Sequence, residues 1–164
     1  MYRPYRQGLP VNLKTRRYIT GCVALLAGCL VNYAGDRILG VDVELWWGLG
    51  TFDLAWTLDM FVVPLIAGIV VAVIFGLGGK WLCYFPPLIV RIINYIYLYF
   101  YATLPEGSQM LTFPLWILIV ILTVESAAFG GVIGEILVKR TYGRIPRDQL
   151  YRDETQSSHT ETKG

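Results

Sequence analysis

Residues 113–138, FPLWILIVILTVESAAFGGVIGEILV, decide the fold, and Lys139 and Arg140 close them. At 1.5 Å per residue a helix over this run is roughly 39 Å long, more than the ~30 Å hydrocarbon core of a bilayer requires. Such a run is a membrane-spanning helix that tilts or projects. Its first half is branched and bulky. Its second half is thin, because Ala127, Ala128, Gly130, Gly131 and Gly134 leave backbone exposed for another helix to touch. Glu125, near the midpoint, is the expensive residue of the run.

Working outward, composition agrees with a membrane class. Of 164 residues 55% are hydrophobic and 16% charged, mean hydropathy is +0.51, and the charges lie almost entirely outside four apolar runs. The first seventeen residues are polar and basic and the run after them has the length of a full span, so no secretory signal is expected. Cys22 and Cys29 fall inside the first run and Cys83 beside the second. That leaves no pair in an extramembrane loop for a disulfide framework, and all three read as small apolar residues. A net charge of +2 from dispersed basic residues does not point to nucleic acid.

The runs give an all-α integral membrane protein of four helices, up-down-up-down, with spans at about 18–34, 58–77, 86–103 and 113–138. Residues 1–17 form a basic arm without any acid, and residues 139–164 a polar tail, partly disordered. Between the first two spans Asp36, Asp42, Glu44 and Asp53 interleave with Leu45, Trp46, Trp47, Phe52 and Trp56. This stretch is too acidic to span and too aromatic to float free, so it is expected to lie in the outer headgroup layer, tryptophans in and carboxylates up. Pro86 and Pro87 open the third span, where a missing N–H costs nothing. With the N-terminus inside, Arg3, Arg6, Lys14, Arg16, Arg17, Lys80, Lys139, Arg140, Arg144, Arg147, Arg152 and Lys163 are all cytoplasmic and Arg37 alone is outside. Both termini are therefore expected in the cytoplasm, with the chain in the plasma (inner) membrane.

Two kinds of residue stand out within the spans. Small residues at intervals of three and four mark packing faces: Gly21, Ala24 and Gly28 in the first span, Gly68, Ala72 and Gly76 in the second, Gly130 and Gly134 in the fourth. Among the polar residues within or beside the apolar runs, Asp59, Arg91, Asn94, Glu125 and Glu135 are the candidates. Counted from the expected inner boundary, Arg91 is roughly 9 Å deep and Glu135 roughly 5 Å. Because Arg side chains snorkel toward the nearer headgroups, Arg91 is expected to meet Glu135, for which Lys139 one turn on competes. Glu125 is left without a cation in its own chain. It is either a protonated, hydrogen-bonded carboxyl or a functional group, since an acid at a helix centre costs about 2.5–3.5 kcal/mol to insert.

At 100° per residue Leu118, Ile121, Glu125 and Val132 share one face of the fourth helix, nearly opposite Thr123, Ala127, Gly130 and Gly134. One face packs inside the four-helix unit and the other asks for a second protein surface, a ligand or an aqueous path. The acids at the outer end show no calcium-like spacing and read as a solvated face. His159, the single histidine, lies in the tail, and there is no Ser/His/Asp set, HExxH, Walker loop or GxSxG. No catalytic role, cofactor or metal is therefore expected. The function expected is that of a non-catalytic subunit, binding the lipid bilayer and other membrane subunits through its small-residue faces. The alternative is a small oligomeric transporter or channel that uses Glu125 for a proton or cation.

Overall fold

The computed structural model describes residues 13–76 and 78–142. The first twelve residues of the basic arm, and the tail from residue 143 with its four basic residues and His159, lie outside them. In order the chain forms α1 (Leu13–Leu39), β1 (Leu45–Trp46), a 3₁₀ turn (Gly48–Thr51), α2 (Leu54–Phe75), a second 3₁₀ segment (Gly79–Tyr84), α3 (Phe85–Phe100), β2 (Gln109–Met110) and α4 (Phe113–Tyr142). Four stretches among the described residues are long and apolar enough to cross a membrane: Arg17–Leu39, Leu54–Phe75, Gly79–Phe100 and Phe113–Arg140. The protein is a helical membrane protein.

The helices differ from the expected spans mostly at their ends. α1 continues past residue 34 through Asp36 and Arg37 to Leu39. It stops where Gly40 takes φ +65° and its N–H, with that of Val41, bonds the Asp36 carbonyl at 2.9 and 3.3 Å. α2 starts before residue 58 because Asp53 caps it, its carboxylate accepting from the Trp56 N–H at 2.7 Å. The longer α1 takes in Asp36, and the earlier start of α2 sets Asp59 inside that helix rather than at its end. The third apolar stretch begins with the 3₁₀ segment at Gly79, ahead of the two prolines.

α2 and α4 meet along a seam of bare backbone. A methyl group at Gly68 would overlap the Ala127 carbonyl, and one at Gly130 the Leu65 carbonyl. At Gly134 it would lie 2.6 Å from the Ala72 Cβ and 2.9 Å from the Ile69 carbonyl. Ser126 adds a hydrogen bond from its hydroxyl to the Phe61 carbonyl at 2.7 Å, satisfying a polar group in lipid without opening the seam. α1 approaches through Gly28, whose missing side chain makes room for Val71 and Pro86 at 2.6 and 2.7 Å, and Ala24 is fully buried beside it. Gly21 is only in ordinary contact with the Phe75 ring, at 3.5 Å. Gly76 is not a packing glycine. It has nothing within 4 Å and takes φ +83° to end α2, returning its N–H to the Ala72 carbonyl.

Away from this seam the contacts turn bulky. Val43, Trp56, Met60, Leu111, Trp116, Ile119 and Val120 form one core, joined by Trp46 and Tyr95, whereas Ala24, Val71, Ala72 and Cys83 form the other. Across the first core the α1–α2 and α3–α4 connections are tied by the antiparallel β1–β2 pair, with Leu45 opposite Met110 and Trp46 opposite Gln109. The Leu111 N–H extends the ladder to the Glu44 carbonyl at 3.0 Å. Large side chains fill this end of the bundle, beside a buried polar cluster.

Candidate functional site: a buried arginine cluster and an outward carboxylate

Arg91 of α3 is fully buried and meets three carboxylates from three different elements. Its Nη2 donates to Asp36 Oδ1 of α1 at 2.5 Å and to Asp59 Oδ2 of α2 at 3.1 Å, and its Nη1 to Glu44 Oε1 of the α1–α2 connection at 3.3 Å. One turn along α3, the Asn94 amide donates to Glu44 Oε2 at 3.2 Å. Glu44 and Asp59 have no exposed surface and Asp36 is 7% exposed. The β1–β2 ladder fixes the backbone at Glu44 and so aims its side chain inward. Burial pushes the Glu44 carboxyl above its ordinary value, and the Arg91 guanidinium opposes that push. Beside Asp36 a polar cleft of about 150 Å³ is lined by Tyr33, Arg37, Gly40, Val41, Asp42 and Asn94.

Arg91 therefore does not pair with Glu135. The apolar stretch that contains it begins at Gly79, twelve residues before Arg91, and ends nine residues after it, so the snorkelling direction inferred from a boundary at Phe85 is reversed. Glu135 is instead taken by backbone. Its Oε1 accepts from the Gly78 and Lys80 N–H groups at 2.9 and 3.2 Å, on either side of Gly79, where the positive φ of Gly78 opens the second 3₁₀ segment. Nor do the acids of the first connection all point to water. Glu44 turns into the bundle, Asp53 serves as a cap, and Asp42 is exposed at the cleft.

Asp59, Arg91 and Asn94 were singled out by the sequence and the structure joins them. Asp36 and Glu44, the other two members, belong to the acids expected on a solvated outer face. The Asp36 signal was present, because Ala24, Gly28 and Asn32 form a stripe of interval four that continues to residue 36, and all four are buried. No comparable signal marks Glu44, which depends on a strand pair of two residues.

Glu125 lies apart from all of this, in the middle of α4. It is exposed, as are Leu118, Ile121 and Val132 on the same face, each about half accessible, while Thr123, Ala127, Gly130 and Gly134 on the other face are buried. It makes no hydrogen bond or ion pair with any described residue. The seam glycines Gly68, Gly130 and Gly134 are occupied within the chain, so the surface left for another molecule along α4 is the bulky one that carries the acid. Among the described residues no group of His, Cys, Asp and Glu has the geometry of a metal site. No protein-family model, no curated protein and no solved structure matches this chain.

Proposed function

We propose that the chain is a non-catalytic subunit of a larger assembly in the membrane, and that it docks through the Glu125 face of α4. The carrying observation is a carboxyl at the centre of an apolar helix, exposed on the outside of the four-helix unit and unpartnered there. Left in lipid it costs about 2.5–3.5 kcal/mol, a cost that a polar or basic group on a neighbouring protein removes. The small-residue faces, in this reading, build the subunit itself rather than its interface.

The orientation proposed with it is N-terminus in, up-down-up-down, both termini cytoplasmic in the plasma membrane. The Lys/Arg distribution supports this, as does the β1–β2 pairing of the two connections meant to be outside. Exposed Trp47, Phe52 and Leu54 support an interfacial position for the first connection.

Purification in mild detergent tests the reading. The mass should exceed that of one 18.5 kDa chain plus its detergent. If Glu125 pairs with a basic partner, Glu125→Gln should weaken assembly by about 3–5 kcal/mol, whereas a hydrogen-bonded, protonated Glu125 should tolerate Gln. A monomer at every protein concentration sinks the subunit reading. A cation flux in reconstituted vesicles that Glu125→Gln abolishes without loss of assembly would replace it with the transporter reading.

A further inference from the structure

Charge counting at the Arg91 cluster leads to a second site, independent of Glu125. With every group ionised, Asp36, Glu44 and Asp59 exceed the single guanidinium by two negative charges, at a place where three of the four residues have no exposed surface. A buried charge without a counter-charge is more readily neutralised than kept. Two of the acids also share one donor, since Arg91 Nη2 serves both Asp36 Oδ1 and Asp59 Oδ2. Two carboxylates on one donor repel each other, and a single proton between them removes that repulsion. Asp59 supplies a separate indication. Its Oδ1 is buried and accepts no hydrogen bond, so no donor stabilises negative charge on that oxygen.

A metal ion fits this cluster poorly. The guanidinium already occupies the point on which the carboxylates converge and repels a second cation, whereas a proton needs no coordination shell and can be shared by two carboxyls. A route for it is present. Asp36, the one of the three carboxylates with exposed surface, lines the polar cleft, and Tyr33 and Arg37 of α1 and Asp42 of the connection face it there. The remaining groups around the Asp36–Asp59 pair are Arg91 and Asn94 of α3 and Glu44 of the connection. The acids of α4 lie elsewhere, Glu125 outward and Glu135 on Gly78 and Lys80.

We propose that the Asp36 and Asp59 carboxyls, held on Arg91, form a proton-binding site that exchanges with the aqueous phase beside β1 and β2 through this cleft. A hydronium ion in the cleft gives its proton to a carboxylate oxygen of Asp36 and leaves as water. The carboxylic acid formed there then donates a hydrogen bond to, or passes its proton to, Asp59.

Infrared spectra of the full-length protein in lipid vesicles, with and without a carbon-13 label on the aspartate carboxyls, test this without altering the cluster. At neutral pH a protonated-carboxyl band should be present that moves with the label, and it should decline as the medium is made alkaline. It should be lost in Asp59→Asn or Asp36→Asn and survive Asp42→Asn and Asp53→Asn, whose side chains are exposed. The label excludes Glu125 and Glu44 from the signal, so failure of the subunit reading leaves this result untouched. The proposal is overturned by the absence of any label-shifted band at neutral pH, by a band that survives either Asp36→Asn or Asp59→Asn, or by one that ignores the pH of the medium.

Discussion

At the scale of single residues the decisive one is Arg91. It ties α1, the first connection and α2 to α3, and removing it would leave three buried acids facing one another. Arg91→Gln should therefore destabilise the protein by about 3–5 kcal/mol in a detergent unfolding titration. Glu44→Gln, which keeps shape and one acceptor and removes one of the surplus charges, should cost about 1 kcal/mol or less. The same variant fixes a sign with pH. Because burial holds the Glu44 carboxyl above its ordinary value in the folded protein, the native state keeps a proton that the unfolded chain has already released. The contribution of Glu44 to stability is then greatest below the ordinary carboxylate range and is lost as pH rises through the folded value. Stability measured from mildly acid to neutral pH should fall less steeply in Glu44→Gln than in the wild type, and an unchanged slope would remove Glu44 from the pH response. A single residue's partners were the least legible feature of the sequence. Depth along one helix ranks candidates, and depth alone points Arg91 to Glu135, but it does not reveal a connection that folds inward.

At the scale of elements, apolar length was enough to locate four helices, and the intervals of small residues located their faces. What it did not locate were the ends. Asp36 and Asp53 read as reasons for a helix to stop, yet one is neutralised inside the bundle and the other is the cap that starts α2. Gly76 shows the same limit, since a glycine in a packing stripe and a glycine that terminates a helix look alike until φ is known. The seam predicts a graded response. Gly68→Leu and Gly130→Leu would push side chains into the Ala127 and Leu65 carbonyls and should cost about 3 kcal/mol or more, seen as loss of folded protein in detergent. Gly21→Ala meets only ordinary contact and should be neutral or stabilising by up to about 1 kcal/mol. Ile121→Leu, on the exposed face, should leave the fold unchanged. If both seam variants matched Ile121→Leu in thermal stability, the close approach of α2 and α4 would not be what holds the bundle.

At the scale of the whole molecule the two ends are built on opposite principles. Where α2, α4 and the second 3₁₀ segment meet through Gly68, Gly130, Gly131 and Gly134, cohesion comes from backbone contact. Beside β1 and β2 it comes from tryptophans, a short ladder and a charge cluster reached by a polar cleft. A cluster of acids near water suits the side of the membrane that carries few lysines and arginines, and this is the side on which the Lys/Arg distribution puts the first and third connections. The orientation and the exposure of the cleft are thus one claim, and topology reporters check it directly. Fusions after Lys80 and Gly164 should report the cytoplasm, and fusions after Gly50 and Gly107 the outside. If Gly50 and Gly107 reported the cytoplasm, the cleft and its acids would face the cell interior, and the proton site would sample cytoplasmic rather than external pH.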